Sequence, residues 1–374
     1  MAKAFRMPLK PSLSFTAMMG PMEKERMMFI RDAWYVGAWS HELDATPMKA
    51  RRLLGDNILF FRTTSGQVAA IRDRCSHRFA PLSMGRREGD CVRCMYHGLL
   101  FDADGKCIEE PGRKGVSPKT NVRSYPTVER YKQVWIWMGD PAKADPNLIP
   151  DCHYQDDPAW ASIPAYIHYK ADYRLILDNL LDFSHLTYVH ENTLGGSATI
   201  AHIRPKVERL GDKVRLTRWY LGEPCIAPYL KGFNTFEGPV DRWHIYELHI
   251  PGNVFLMDSG SAPAGSGAPE GQRVPEAMQF RATQIVTPED EQNSHFFWSY
   301  AHNFNIGDPD FTAKLAARIA EGFEEDRIMI EAQQDEVNRS TGDEMAFIMA
   351  DNGLALGRRI IEEKLAAENA LADG

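Results

Sequence analysis

Two short motifs constrain this chain more than any other feature: Cys75-Ser-His77 and, after sixteen intervening residues, Cys94-Met-Tyr-His97. Each places a thiol and an imidazole in one tight loop. Two thiolates and two imidazoles can close a tetrahedral zinc site, or a [2Fe–2S] cluster with cysteines on one iron and histidines on the other. Zinc sites space paired ligands by two to four residues, so a Cys-x-His pair is unusual for zinc and natural for the iron–sulfur alternative. Pro81 after the first pair and Gly98 after the second suit loops that bring backbone close to a metal. Cys91 offers a competing Cys91-Val-Arg-Cys94 pair, but that pairing leaves His97 unused. Cys91 and Cys107 read as ordinary buried thiols.

The surrounding text is strand-like. Val36-Gly-Ala-Trp, Asn57-Ile-Leu-Phe-Phe, Val68-Ala-Ala-Ile and Val134-Trp-Ile-Trp-Met are short β-branched or aromatic runs between Gly, Asp and Asn turns. They predict a small all-β domain over residues 30–145, with the proline-rich stretch Pro141–Pro150 as its linker. A chain of 374 residues is long enough for a second, larger domain, here 146–374, sharing an extensive core with the first. Residues 1–29 read as an extended arm, because Pro11 and Pro21 interrupt what would otherwise look like a leader. Six cysteines are too few for a disulfide scaffold, and three of them cluster beside histidines, which points to a reducing, cytoplasmic setting. A net charge of −8 argues against a nucleic-acid partner, and no apolar run approaches the length of a membrane span.

The second domain mixes helix and strand. A helix is predicted from Tyr173 to about His190, then strands over Lys206–Leu221 with a turn at Gly211-Asp212, and over Trp243–Leu256, Gln279–Val286 and His295–Ala301. Asp258–Ala277, rich in Gly, Ser and Pro, reads as a loop over a pocket. Asp308-Pro-Asp caps a long helix from Phe311 to Val337, and a last helix runs from Leu354 to about Leu371.

Within the first of these helices lies Asp178-Asn179-Leu-Leu-Asp182-Phe-Ser184-His185-Leu-Thr-Tyr188-Val-His190. Asp, Asn and Ser are poor helix-interior residues, yet they interrupt an apolar stretch that leaves no continuous wet face. Two histidines plus a carboxylate, with open positions, form the facial triad of non-haem Fe(II) oxygenases. On a straight helix His185 and His190 would point about 140° apart, so the helix must end or distort for them to share a metal. For the carboxylate, Leu315, Ile319, Phe323, Asp326 and Ile330 follow one helical face. An aspartate on that stripe is costly to bury unless something pairs with it, either a metal or a buried Arg. Glu324 and Glu325 point away from the stripe and read as solvated.

The first motif pair resembles the Rieske signature of ring-hydroxylating and O-demethylating oxygenases, above all in its Tyr96-His97-Gly98 ending. The second stretch resembles the Asn-x-x-Asp-x-x-His-x-x-x-x-His motif of Rieske oxygenase catalytic domains, and Glu325-Asp326…Glu331-Ala-Gln333 resembles the corresponding region of the O-demethylase branch. Within that superfamily, the chain is most similar to the vanillate and dicamba O-demethylase and chloroacetanilide N-dealkylase oxygenases. The resemblance implies an α+β protein. An N-terminal all-β Rieske domain would precede a helix-grip-like catalytic domain of antiparallel sheet and helices.

By the same resemblance, Cys75, His77, Cys94 and His97 hold a [2Fe–2S] cluster, and His185, His190 and Asp326 hold a mononuclear Fe(II). Asn179 then lies beside the open iron face, and Asp182 bridges to a Rieske histidine. Such relatives are homotrimers in which the cluster of one subunit serves the iron of its neighbour. NAD(P)H would feed a separate reductase, then a ferredoxin, then the cluster, and the electron would cross through His97, Asp182 and His185. The reaction implied is O2-dependent hydroxylation of a C–H bond in a small aromatic substrate, leading to O-demethylation or N-dealkylation. Two rivals remain: aromatic ring dihydroxylation, and a Rieske electron-transfer protein whose C-terminal region serves only docking. Strand residues His244, His249, Ile285, His295 and Trp298 could shape the pocket, but their orientation is open.

Overall fold

The computed structural model describes residues 28–191, 193–194, 202–223, 236–340, 342 and 345–373. The predicted N-terminal arm therefore lies almost wholly outside the described residues. The N-terminal region is all strand apart from short helical turns. It contains β1 (Trp34–Trp39), α1 (Ser40–Asp44), β2 (Lys49–Leu53), β3 (Asp56–Arg62), β4 (Val68–Arg72), β5 (Arg86–Glu88), β6 (Cys91–Arg93), β7 (Leu100–Phe101), β8 (Cys107–Glu109), β9 (Thr127–Arg130) and β10 (Gln133–Trp137). These form three small antiparallel sheets, ordered β1-β10-β9, β2-β3-β4 and β5-β6-β7-β8.

β3 shows how one strand serves two cores. Side chains alternate across a strand, so Leu59 and Phe61 face a small core with Cys75, Val92, Cys94 and Phe101. Ile58 and Phe60 face the large core that continues into the rest of the chain. Each fully buried Phe contributes about 1.5–3 kcal/mol, so the platform under the cysteines and its attachment to the larger domain draw on the same seven residues.

The C-terminal region contains β11 (Pro164–Tyr169), α2 (Tyr173–Leu181), β12 (Lys206–Leu210), β13 (Lys213–Glu223), β14 (Val240–His249), β15 (Val254–Pro263), β16 (Met278–Pro288), β17 (Ser294–His302), α3 (Pro309–Arg339) and α4 (Asn352–Asp373). Seven strands form one antiparallel sheet, β11-β17-β16-β15-β14-β13-β12. The helices lie on its inner face, where Phe323 of α3 meets Phe296 and Trp298 of β17. This is the expected α+β layout. Among the described residues no helix is long and apolar enough to cross a membrane.

Four expectations need correction, the first being that Trp243–Leu256 is not one strand but the end of β14, a turn and the start of β15. β11 was not predicted, and it pairs along its whole length with β17. The supposed loop begins later than Asp258, because Asp258–Pro263 continues β15. Ser and Gly are poor strand formers, but pairing with β14 and β16 overrides that. Gly260 is needed there, since a Cβ would collide with the Trp243 ring and come within 2.6 Å of Met278 O. The helix starting at Tyr173 stops at Leu181, well short of His190. Asp182 takes an extended conformation and caps a 3-10 turn over Phe183–Thr187, accepting from Ser184 N–H.

The proline-rich Pro141–Pro150 stretch is docked rather than loose. Asp145 O accepts from the Trp34 indole at 2.8 Å, and Ile149 is buried among Trp34, Trp137, Val254 and Ile285. At the far end of the chain, Glu368 of α4 accepts from the backbone N–H groups of Arg31 and Asp32 at 2.7 and 2.9 Å.

Candidate metal centres

Cys75 and Cys94 sit at the start of two loops folded by one rule. Phe79 N–H donates to Cys75 O and Cys75 N–H to Ala80 O. Four and five residues after Cys94, Gly98 N–H donates to Cys94 O and Cys94 N–H donates to Leu99 O. The equivalent residues Phe79 and Gly98 both have positive φ, 59° and 79°. At Gly98 a Cβ would also approach Pro111 Cγ to 2.9 Å. Phe79 bears the strain of a left-handed non-glycine residue, and the Arg74 guanidinium lies 4.3 Å over its ring. Asp73 accepts from Ser83 N–H and Oγ, which ties the turn after Pro81 beneath the first loop.

The loops bury both thiols and expose both imidazoles, whose rings face each other 4.5 Å apart at 73°. Burial, with Cys94 alongside, pushes the Cys75 thiol up to about 11, so a Cys75 thiolate here needs metal charge to hold it. Buried sulfurs below and paired imidazoles above form a donor set that fits a mixed-ligand [2Fe–2S] cluster. Cys107 is buried with its thiol donating to Glu109 O, while Cys91 is only half-buried, against expectation.

The second group is assembled from separate elements. The break at Asp182 swings the following turn so that the His185 and His190 rings lie 5.2 Å apart. Asp326 of α3 presents Oδ1 to both, 3.5 Å from His185 Nε2 and 3.2 Å from His190 Nε2. Ligand atoms of all three lie within 4.8 Å of one another. Asn179, on the last turn of α2, donates to the same Asp326 oxygen at 3.0 Å.

The outer nitrogens decide what this group can do. His185 Nδ1 lies 2.5 Å from Asp182 O, and His190 Nδ1 lies 2.7 Å from Glu325 Oε2. Both partners only accept, so the Nδ1 atoms carry the protons and each Nε2 turns a lone pair toward a carboxylate. His190 Nε2 is buried without a hydrogen-bond partner. Lone pairs facing a buried carboxylate are reconciled by a cation between them, and the residues therefore fit a metal. Burial pushes the His185 imidazole below its ordinary value. At His190 burial acts the same way, but the Asp326 and Glu325 carboxylates beside it outweigh burial and raise the value.

Glu325 corrects the sequence reading, which made it a solvated residue. It is only 33% exposed and also accepts from Thr193 Oγ1. The helical wheel places it correctly off the stripe, but the 183–194 turn packs against that flank. Asp182 also differs in detail. Its carbonyl, not its carboxylate, holds His185, while the carboxylate is engaged by Ser184 N–H and Oγ at 2.8 Å each.

The triad opens into a cavity bounded by Leu186, Ile319 and Phe323 on the helix side and by Arg242, His244 and Met257 on the sheet side. Of the strand residues whose orientation was open, only His244 lines it. His249 contacts Glu247, Ile285 packs in the tryptophan seam, and Trp298 is core. His295 belongs to a second cluster with His168 and Glu289. Both its nitrogens are engaged, with Tyr166 O–H and Arg52 O, and burial drives it down to about 3. It is a satisfied structural histidine.

Residues 33–126 match the Rieske [2Fe-2S] domain, and residues 169–367 match the vanillate O-demethylase oxygenase C-terminal domain. The chain is 49% identical to the toluene-4-sulfonate monooxygenase system iron-sulfur subunit of Comamonas testosteroni, covering 91% of this chain and 99% of that one. It is 38% identical to the dicamba O-demethylase oxygenase component of Stenotrophomonas maltophilia, over 82% and 88% of the two chains. The crystal structure of dicamba monooxygenase bound to 3,6-dichlorosalicylic acid superposes with a TM-score of 0.83 at 32% identity, covering 91% of this chain and 99% of that chain.

Proposed function

Because the chain belongs to the Rieske non-haem iron oxygenases, in the branch with the vanillate O-demethylase C-terminal domain, we propose that Cys75, His77, Cys94 and His97 hold its [2Fe–2S] cluster and that His185, His190 and Asp326 hold its mononuclear iron. The protein is the oxygenase component of a monooxygenase. Its electrons come from a ferredoxin and an NAD(P)H-dependent reductase, and its substrates are O2 and a small aromatic molecule. The boundary between its two domains falls near residue 145, inside the docked proline-rich strap.

When bound, the cluster supplies single electrons and the mononuclear iron supplies O2 activation for insertion into a C–H bond. The chain's own residues set the conditions. Asp182 O and Glu325 fix the two imidazoles with Nε2 forward, Asn179 steadies the Asp326 carboxylate, and Leu186, Ile319 and Phe323 keep water from the reacting carbon. Hydroxylation of an O-methyl or N-alkyl carbon gives a hemiacetal or hemiaminal, which collapses to an aldehyde and a phenol or amine. On a ring methyl the product is the alcohol.

A homotrimer completes the electron path in this reading. Phe79, Met84, Met95 and Tyr96, close in sequence to His77 and His97, are exposed, and exposed Tyr188, Ile328 and Met329 lie close in sequence to the second group's ligands. A second copy of the chain, with His97 placed against Asp182, would cover both apolar patches.

The observation that carries the reading is His190 Nε2, buried, unpartnered and 3.2 Å from a buried carboxylate oxygen. The purified protein should be brown, hold roughly three irons per chain and give a Rieske-type EPR signal on reduction. With reductase and ferredoxin it should release formaldehyde from methoxy-arenes, or the matching aldehyde or alcohol from N-alkyl anilides and methyl-arenes. A colourless protein holding one tight zinc would overturn it.

A further inference from the structure

We propose that Leu194, seated in a notch that α3 opens at Gly322, is a specificity-determining residue of the cavity. Its side chain limits how bulky an alkyl group can be brought up to the triad. This rests on the oxygenase reading above and names what sets the size limit of that site.

Gly322 is the single glycine of α3, and it is buried in the middle of that helix. A glycine inside a helix weakens it relative to alanine, so the position needs another reason. A Cβ at Gly322 would lie 2.4 Å from Leu194 Cδ1 and 2.5 Å from Leu194 Cγ. Cγ is the branch point of the isobutyl group, so the body of the side chain, not its tip, fills the space a Cβ would take. The turn that carries Leu194 is pinned beside this notch. Thr193 N–H donates to His190 O at 3.2 Å. Thr193 Oγ1 donates to Glu325 Oε2, the oxygen that also accepts from His190 Nδ1. Glu325 follows Gly322 by three residues, so α3 grips the turn at two neighbouring points, a carboxylate and a hole.

Asp326 follows Gly322 by four residues and shares its face. The notch is therefore about one helical turn, roughly 5.4 Å along the axis, from the residue that presents its carboxylate to both histidines. Leu194 is also part of the cavity wall. Two of its wall neighbours are fixed, since Ile319 and Phe323 are buried and Phe323 packs against both Phe296 and Trp298. Leu194 is only half-buried and comes from a turn. Of these three it is the one whose size can change without opening the core. Seated in the notch, its isobutyl group leaves room in front of the triad. With the notch filled and the turn held by Glu325, that group has only the cavity to move into.

The first test needs no ligand. Inside a helix Gly→Ala ordinarily stabilises. Gly322→Ala should instead lower the melting temperature of the full-length protein with both metal centres loaded, because Leu194 occupies the space. In the Leu194→Ala background the same change should raise it, a reversal of sign that only direct coupling of the two positions produces. The second test is calorimetric titration with 4-methoxy-, 4-ethoxy- and 4-isopropoxybenzoate. Wild type should bind the methoxy compound about tenfold or more tightly than the isopropoxy one, the scale of added methylenes in an apolar pocket. Leu194→Ala should shrink that preference about tenfold, and Gly322→Ala should sharpen it. A Gly322→Ala protein that melts higher than wild type overturns the notch. A preference unchanged in Leu194→Ala, or no binding of the series by either protein, overturns the size limit. If Gly322→Ala fails to fold, judged by a lost cluster absorbance, Leu194→Ala and the double variant still decide. An altered size preference without any oxidised product would refute the oxygenase reading and leave the role of Leu194 standing. Oxidised products with an unaltered preference would do the reverse.

Discussion

The cluster loops and the catalytic pocket use the same imidazole side chain in opposite settings. His77 and His97 stand exposed at a tip, over two buried cysteines. His190 is fully buried, and His185 is half-buried in the wall of the cavity. A group that must take electrons from a separate protein gives up shielding, whereas a site that must oxidise an unreactive C–H bond keeps water away. Construction differs too. The first group comes from two loops repeating one hydrogen-bond pattern, whereas the contact between Asn179 and Asp326 spans 147 residues.

Removing a ligand from each site tests this contrast most strongly. Cys94→Ser should bleach the protein and abolish turnover. Because Cys94 is also part of the small core, thermal melting should fall as well. Asp326→Ala should be the converse. Iron analysis and EPR should show the Rieske signal intact, the mononuclear iron lost and turnover reduced by roughly a thousandfold or more. Full iron and turnover in that variant would move the carboxylate role to Glu325.

Asp182 tests whether the two sites are wired together. Asn can replace it as a cap, so Asp182→Asn should keep the fold and both metals yet slow or stop re-oxidation of a pre-reduced cluster in stopped flow. Wild-type rates would leave Asp182 as a local cap whose carbonyl orients His185. Glu325→Gln should weaken mononuclear iron roughly 10–100-fold, read by chelator competition, with the cluster signal unchanged. The smallest effect belongs to the loop geometry. Gly98→Ala, at φ 79° and crowded by Pro111, should cost about 1–2 kcal/mol, seen as a lower melting temperature with the cluster still loaded.

The same contrast explains what the sequence made legible. Both thiols and both imidazoles of the first group lie within 23 consecutive residues, so their spacing alone names the chemistry. Asp326 could be found because a charge on an apolar helical stripe is conspicuous. Glu325 could not, since its role depends on a turn packing against the flank of α3, and no periodicity in α3 encodes that. The inward face of β14 was equally hidden. Arg242 and His244 point into the cavity because of the register with β13 and β15, and a shift of one residue would have sent them to the other side. The helix break at Asp182 was half legible: the two histidines demanded a distortion, but the capping contact with Ser184 decides where it falls.

The bidentate grip of Glu368 on the Arg31 and Asp32 amides has a consequence in time. Those amides leave the ribosome 337 and 336 residues before the carboxylate that holds them. While the chain is being made, the nascent N-terminal domain can close the small core around Cys75 and Cys94 from residues already emerged. The segment leading into its first strand, however, waits for α4 to be synthesised. The clasp is thus a late latch, set only after residue 368 has emerged, and a fusion that drew α4 aside would free the Arg31 and Asp32 amides.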